Sequence, residues 1–179
     1  SGDGSCEVSL EYQFEAEDEC GNSLQIPIGE NFLFTIRDTL PPTIYNAPKD
    51  ATFECDGLGN TVDINNWLGN FAGTFATDRC QSQVSYFTNA IEQTGNLQCF
   101  DRQYEFFAQD SCANVASAGR ATVHIEDSLP PTFDTFPPDI TILCGDSFSV
   151  IDTGTPSLSD ICGGSISLEF SDTAVNETT

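Results

Sequence analysis

Eight cysteines carry most of the reactive chemistry available to this chain: Cys6, Cys20, Cys55, Cys80, Cys99, Cys112, Cys144 and Cys162. None forms a C-x-x-C pair and the single histidine is His124, so the ligand spacing of a structural zinc site is absent. An even count without metal spacing reads as disulfides, which persist in an oxidising compartment. Buried free thiols are the alternative for some of them. If all eight are committed to disulfides, no thiolate nucleophile is left. His124 lies between Val123 and Ile125 on a strand-like run, where a lone histidine is an ordinary surface side chain before it is a general base. No G-x-S-x-G, H-E-x-x-H or P-loop occurs. Carboxylate pairs of the kind glycosidases use are plentiful, but on so acidic a chain they single nothing out. The chemistry-bearing residues therefore argue against an enzyme.

Calcium is the metal these carboxylates could hold, since it takes about six to eight hard oxygens. Asp18, Asp38, Asp110, Glu126 and Asp127 stand at equivalent strand ends and linkers, with Glu17 beside them. Ions bound there would stiffen the joints and relieve self-repulsion. No EF-hand or RTX spacing is present, so a solvated acidic surface is the simpler reading, and calcium stays open beside it.

The elements that would position these groups must form against a large charge. Asp and Glu number 28 against 5 Lys and Arg, a formal net charge of −23. That excludes nucleic acid and anionic membrane surfaces as partners, because both are gripped by clustered Lys and Arg. The chain should still fold: apolar residues make up 39% and Phe alone numbers 14, enough apolar area to offset ordering entropy. No run approaches the roughly 18–20 apolar residues of a membrane span, so direct membrane insertion is not expected, and no signal peptide is visible. Met is absent throughout, which suggests an excerpt of a longer mature chain.

An internal repeat organises the rest. Residues 38–57, DTLPPTIYNAPKDATFECDG, match residues 127–146, DSLPPTFDTFPPDITILCGD, at an offset of 89. CEVSLEYQFEAEDECGN (6–22) matches CFDRQYEFFAQDSCAN (99–114) at 92 to 93, and ATDRC (76–80) matches LSDIC (158–162) at 82. Residues 1–37 then read as the C-terminal half of a preceding repeat, 38–127 as a complete repeat, and 128–179 as the N-terminal part of a following one. If each fragment is self-contained, the disulfides are Cys6–Cys20, Cys55–Cys80, Cys99–Cys112 and Cys144–Cys162. Each would close a short loop worth about 3 kcal/mol.

Glu7–Glu17 alternates Val8, Leu10, Tyr12, Phe14 and Ala16 with Glu7, Glu11, Glu15 and Glu17, the period-two pattern of a half-buried strand. Tyr104, Phe106 and Ala108 repeat it. Further strands are expected at Phe32–Arg37, Thr52–Cys55, Gln83–Phe87, Arg120–Glu126, Asp139–Leu143 and Ser165–Ser171. One helical turn is expected at Asp63–Leu68, capped by Asp63, with Trp67 and Leu68 plugging an open end. Short strands between Gly, Asn, Asp and Pro turns imply an all-β fold of tandem, disulfide-stapled immunoglobulin-like β-sandwiches. The Pro pairs of Asp38–Pro42 and Asp127–Pro131 make stiff linkers, so a string of such modules should extend as a semi-rigid rod.

The four-Cys order together with the D-T/S-x-P-P joint resembles the hyalin-type (HYR-like) modules of very large surface proteins. It is most similar to tandem repeats of giant gliding-motility adhesins and surface filaments of Bacteroidota. The likeness covers essentially the whole chain. It departs where D-x-C-G-N, seen at Asp18–Asn22, becomes Asp110-Ser111-Cys112-Ala113-Asn114. The resemblance implies a structural segment of a long extracellular, cell-surface repeat protein, a filament, stalk or adhesin. Its partners would be neighbouring repeats and other copies in a filament. A carbohydrate-binding array taking surface polysaccharide, with an exposed Trp67, and a spacer within a secreted enzyme are the rival readings. The resemblance also implies O-glycosylation at Asp-Ser/Thr positions, here Thr39, Ser128 and Thr173, where the plain alternative is a turn. Asn176-Glu177-Thr178 forms a single N-glycosylation sequon.

Overall fold

The structure, a computed structural model, describes residues 6–25, 32–80, 83–95, 99–146, 149 and 154–173. Strand accounts for 45% and helix for 8% of it, so the chain is all-β. The strands are β1 (Glu7–Tyr12), β2 (Glu15–Glu17), β3 (Ser23–Gln25), β4 (Phe32–Arg37), β5 (Thr43–Asn46), β6 (Ala51–Glu54), β7 (Phe75–Thr77), β8 (Ser85–Gly95), β9 (Phe100–Gln109), β10 (Val115–Glu126), β11 (Thr132–Thr135) and β12 (Ser157–Ser159). Helix α1 spans Thr61–Gly69 and a 3-10 turn follows at Phe71–Gly73. A four-stranded sheet has the order β6-β10-β9-β8, and four two-stranded ribbons pair β1 with β4, β2 with β3, β5 with β7 and β11 with β12.

Two compact units form. The first holds residues 1–51, 66–92 and 103–122, and the second holds 52–65, 93–102 and 123–179. In the first, alternation along β9 buries Tyr104, Phe106 and Ala108, while Ala118 and Ala121 of β10 are buried with Ala72 and Ala76. Trp67 meets Tyr104 and Phe106 edge-on at 5.7 and 5.5 Å, and Phe71 stacks on Tyr86 at 4.9 Å. Trp67 donates its indole N–H to the Lys49 carbonyl at 3.0 Å, so its polar edge is satisfied where its rings are covered.

The β1–β4 ribbon of this unit pairs Val8 with Ile36, Leu10 with Phe34 and Tyr12 with Phe32. The expected alternation is thus present, but Val8, Leu10, Tyr12, Phe32, Phe34 and Ile36 are all exposed rather than half-buried. The expected single strand over Glu7–Glu17 is also interrupted between β1 and β2.

In the second unit, Ile64, Phe100, Val123 and Ile125 are buried, and the Cys55 amide donates to the Glu126 carbonyl at 2.8 Å. Helix α1 is longer than the single turn expected, and Asp63 does not cap it. Asn60 precedes the helix, and its carbonyl accepts the Ile64 N–H at 2.9 Å. Asn60 is fully buried and left-handed at φ 51°, a conformation Asn tolerates better than most residues. Its amide group donates to the Glu54 carbonyl (2.6 Å) and Asp63 Oδ2 (3.3 Å), and its Oδ1 accepts from the Asp56 N–H (3.2 Å). Asn60→Ala is expected to cost about 2–4 kcal/mol, because buried groups lose their partners; urea denaturation measures this directly.

The two short hairpins, one in each unit, match. β5 and β7 pair Thr43 with Thr77, Ile44 with Ala76 and, past an irregularity, Asn46 with Phe75. β11 and β12 pair Thr132 with Ser159, Phe133 with Leu158 and, past the same irregularity, Thr135 with Ser157. Residues 43 and 132 are 89 positions apart, and residues 77 and 159 are 82 apart.

Two expected strands do not form. Asp139–Leu143 and Ser165–Ser171 carry no strand structure. Their sequence counterparts lie in or beside β6 and β8, which hydrogen-bond to β10 and β9. A strand needs a neighbour for its backbone N–H and C=O groups, and among the described residues neither segment is paired in a sheet. The other expected strands form as β4, β6, β8, β9 and β10, with β8 and β10 longer than expected.

Candidate functional site

The residues with the most chemical potential cluster around the cysteines. The pairing expected from self-contained fragments is corrected: Cys6 is bonded to Cys112 and Cys55 to Cys162. The Cα atoms are 5.2 and 5.7 Å apart, within the ordinary reach of a disulfide, across 106 and 107 residues of sequence. The physical reason lies in the strands. β1 begins directly after Cys6, and its six residues span about 20 Å, while ten-residue β9 separates Cys99 from Cys112 by about 33 Å. Neither distance fits a Cα separation near 6 Å. Cys20, Cys80 and Cys144 are free and exposed.

Each D-x-C motif is a turn clamped by its aspartate. Asp110 Oδ1 accepts the N–H groups of Cys112 (2.8 Å) and Asn114 (2.9 Å), and Oδ2 accepts the Asn114 side-chain amide (2.9 Å). Asp18 repeats this with Cys20 (2.9 Å), Asn22 (2.8 Å) and the Asn22 side chain (2.6 Å). Ala113 therefore sits at φ 64° where the other copy has Gly21 at φ 81°, so the sequence departure at Ala113 keeps the turn. Asp78 and Asp160 hold the Cys80 and Cys162 amides in the same way, each at 2.8 Å. These Asx turns aim each cysteine from a fixed backbone.

The calcium candidates are found in these turns and linkers. Asp18 and Asp110 are turn clamps, and Asp38 and Asp127 each accept the amide two residues on, from Leu40 and Leu129, at 3.3 Å. Asp38 and Asp110 come near one another through Asn114, whose side-chain amide also reaches the Asp38 carbonyl at 3.5 Å. Glu126 ends β10 and is exposed. Among the described residues, no three of the five share a metal-like cluster. Asp38 groups instead with Asp78 and Cys80, and Asp127 with Glu54 and Cys162. The two clusters correspond in sequence, Asp38 to Asp127 and Cys80 to Cys162. In the second the sulfur is already spent in the bond to Cys55. The Cys80 thiol is pushed up by local desolvation and then by the charges of Asp38, Asp78 and Asp110, which keeps it protonated and disfavours it as a metal ligand.

Of the glycosylation candidates, Ser128 is engaged: its N–H and hydroxyl both donate to the Glu54 carboxylate, at 2.8 and 2.7 Å. Thr39 and Thr173 are exposed, and the Asn176 sequon lies outside the described residues. The Ser128 hydroxyl, followed by its N–H, holds the Glu54 carboxyl below its ordinary value of 4.5. A folded value below the unfolded one means the contact contributes fully above the unfolded pKa and is lost as pH falls through the folded one. Acid should therefore loosen this contact only below about pH 4.5, and Ser128→Ala should return Glu54 toward its ordinary titration, as read by carboxyl NMR. The Asn22 side chain lowers Asp18 similarly, and the Asn60 and Leu58 amides lower Asp56.

His124 Nδ1 faces Asp101 Oδ1 at 2.8 Å on an exposed strand surface. Trp67 is half-buried rather than exposed. Among the described residues no helix is long and apolar enough to cross a membrane, and the two disulfides fit an oxidising environment. The aspects that sequence reasoning missed were the Glu54–Ser128 clamp and the long-range bonds. The strand following Cys6, itself readable from alternation, was the signal that excluded the Cys6–Cys20 bond. No protein-family model, curated protein or solved structure matches the chain.

Proposed function

We propose that this chain is a structural segment of a long extracellular repeat protein of immunoglobulin-like modules, resembling hyalin-type surface repeats. Such a segment serves extension and attachment at a cell surface. The observation that supports it most is the pair of matching hairpins, β5–β7 and β11–β12, with the same register and the same irregularity at repeat-spaced positions. A repeated local geometry is what a tandem array requires, because each copy must present the same faces to its neighbours. The long-range disulfides and clamped turns restrict opening of the chain and so its proteolysis, a property suited to a displayed filament. A polysaccharide-binding array gains little support, since Trp67 packs on Tyr104 and Phe106. Electron microscopy of the native assembly tests the reading. It should reveal filaments with an axial period set by the repeat; isolated compact particles would reject it.

A further inference from the structure

We propose that the two disulfides turn this single chain into a tether with three parallel covalent load paths, which cap its extension and keep its ends joined after a backbone break. The bonds interleave. Cys55 lies between Cys6 and Cys112, which are bonded to each other, while its own partner Cys162 lies beyond them. Traced along covalent bonds, the two disulfides become two nodes. Segments 6–55, 55–112 and 112–162 each run from one node to the other, over 49, 57 and 50 peptide steps. Disulfides that closed only local loops would leave a single path between one loop and the next.

Each node is anchored at both of its cysteines. Cys6 directly precedes β1 and its carbonyl accepts the Asp38 N–H at 2.9 Å, while Asp110 holds the Cys112 amide at 2.8 Å. Cys55 directly follows β6 and its N–H donates to the Glu126 carbonyl at 2.8 Å, while Asp160 holds the Cys162 amide at 2.8 Å. One node belongs to each compact unit.

The lengths point to load sharing. The bonds span 106 and 107 residues, so segments 6–55 and 112–162 differ by one peptide step, about 3.5 Å when extended. Pulled from the chain ends, these two become taut together and divide the load. The middle segment keeps about 25 Å of slack and stands in reserve. The shortest covalent route from residue 1 to residue 179 is 71 peptide steps, against 178 along the chain. That sets a limit of about 250 Å rather than about 620 Å. One peptide bond anywhere between Cys6 and Cys162 can be cut without parting the ends, because two routes remain. Such tolerance suits a chain displayed to shear and proteases.

The role rests on the extension-and-attachment reading, but the two fail apart. Filaments whose segments stretch to about 620 Å without reductant would uphold the array and overturn the tether. Compact particles that keep the shorter limit would do the reverse.

The test holds the 179-residue chain by handles at its two ends and stretches it by force spectroscopy. Accessible thiols are alkylated first, so that exchange cannot alter the bonds. The extension limit should be about 250 Å and rise about 2.5-fold on adding reductant. A limit unchanged by reductant, or one near 620 Å without it, overturns the proposal. Lys49 is the only lysine and is exposed, so a lysine-specific protease acting in urea makes one cut, in segment 6–55. Lys49→Gln/Thr141→Lys moves that cut into segment 112–162, at another exposed position. Both cut chains should hold under load with the limit still about 250 Å, and part only when reduced. Survival of the first cut requires Cys6–Cys112, and survival of the second requires Cys55–Cys162. Parting of either cut chain without reductant overturns the proposal.

Discussion

The double variant Cys55→Ser/Cys162→Ser is expected to unfold with about 4–5 kcal/mol less free energy than the parent chain. The bond it removes closes 107 residues. On the loop-entropy model that restricts the unfolded chain more than any of the short loops would, since closure entropy grows with the logarithm of loop length. Replacing both residues avoids leaving a buried lone thiol, for Cys55 and Cys162 are each buried. Urea denaturation supplies the number, and a change under about 1 kcal/mol would contradict the bond. Peptide mapping under non-reducing, mildly acidic conditions separates the alternatives more directly. Fragments joined as Cys6–Cys112 and Cys55–Cys162 are expected, and fragments joined as Cys6–Cys20 or Cys99–Cys112 would overturn the structure's connectivity.

The second large effect is expected at Phe106. This ring is 1% exposed and meets Trp67 edge-on, so Phe106→Ala should cost about 3–5 kcal/mol through lost transfer energy and the cavity left behind. Phe14 occupies the corresponding position 92 residues earlier, yet it is 58% exposed and touches the ring of Phe32 at 5.4 Å. Phe14→Ala in the isolated chain should cost less than about 1 kcal/mol. Thermal denaturation of the two variants side by side makes the comparison. Equal losses would mean that something covers Phe14 as thoroughly as Trp67 covers Phe106.

Much of the local structure was legible in the residues. Strand β4 coincides with the expected Phe32–Arg37, because alternation of apolar and polar residues has only one backbone period that satisfies it. The D-x-C turns could also be read, since an aspartate two residues before an amide is a ready-made acceptor. Disulfide partners were not legible from the register alone. The assumption that fragments close on themselves conflicted with the strand expected between Cys6 and Cys20, and the strand prevailed because an extended backbone cannot fold its ends together. Asn60 rather than Asp63 stands before the helix, and its backbone carbonyl accepts the first helical N–H, from Ile64. Asn60 is buried against Glu54 and Asp56, where one side chain must serve donors and acceptors at once. The carboxylates considered for calcium were read from their positions, but their backbone partners depend on turn geometry that composition does not disclose.

By itself the sequence determined the all-β class, the repeat-spaced correspondences and the eight cysteines with their aspartate neighbours. These follow from short-range rules of side-chain alternation, turn chemistry and residue identity. Only the tertiary structure decided which cysteines meet, which copy's apolar residues are covered and which strands acquire neighbours. Those outcomes depend on contacts between residues about a hundred positions apart, and a strand or a disulfide exists only when its second half arrives.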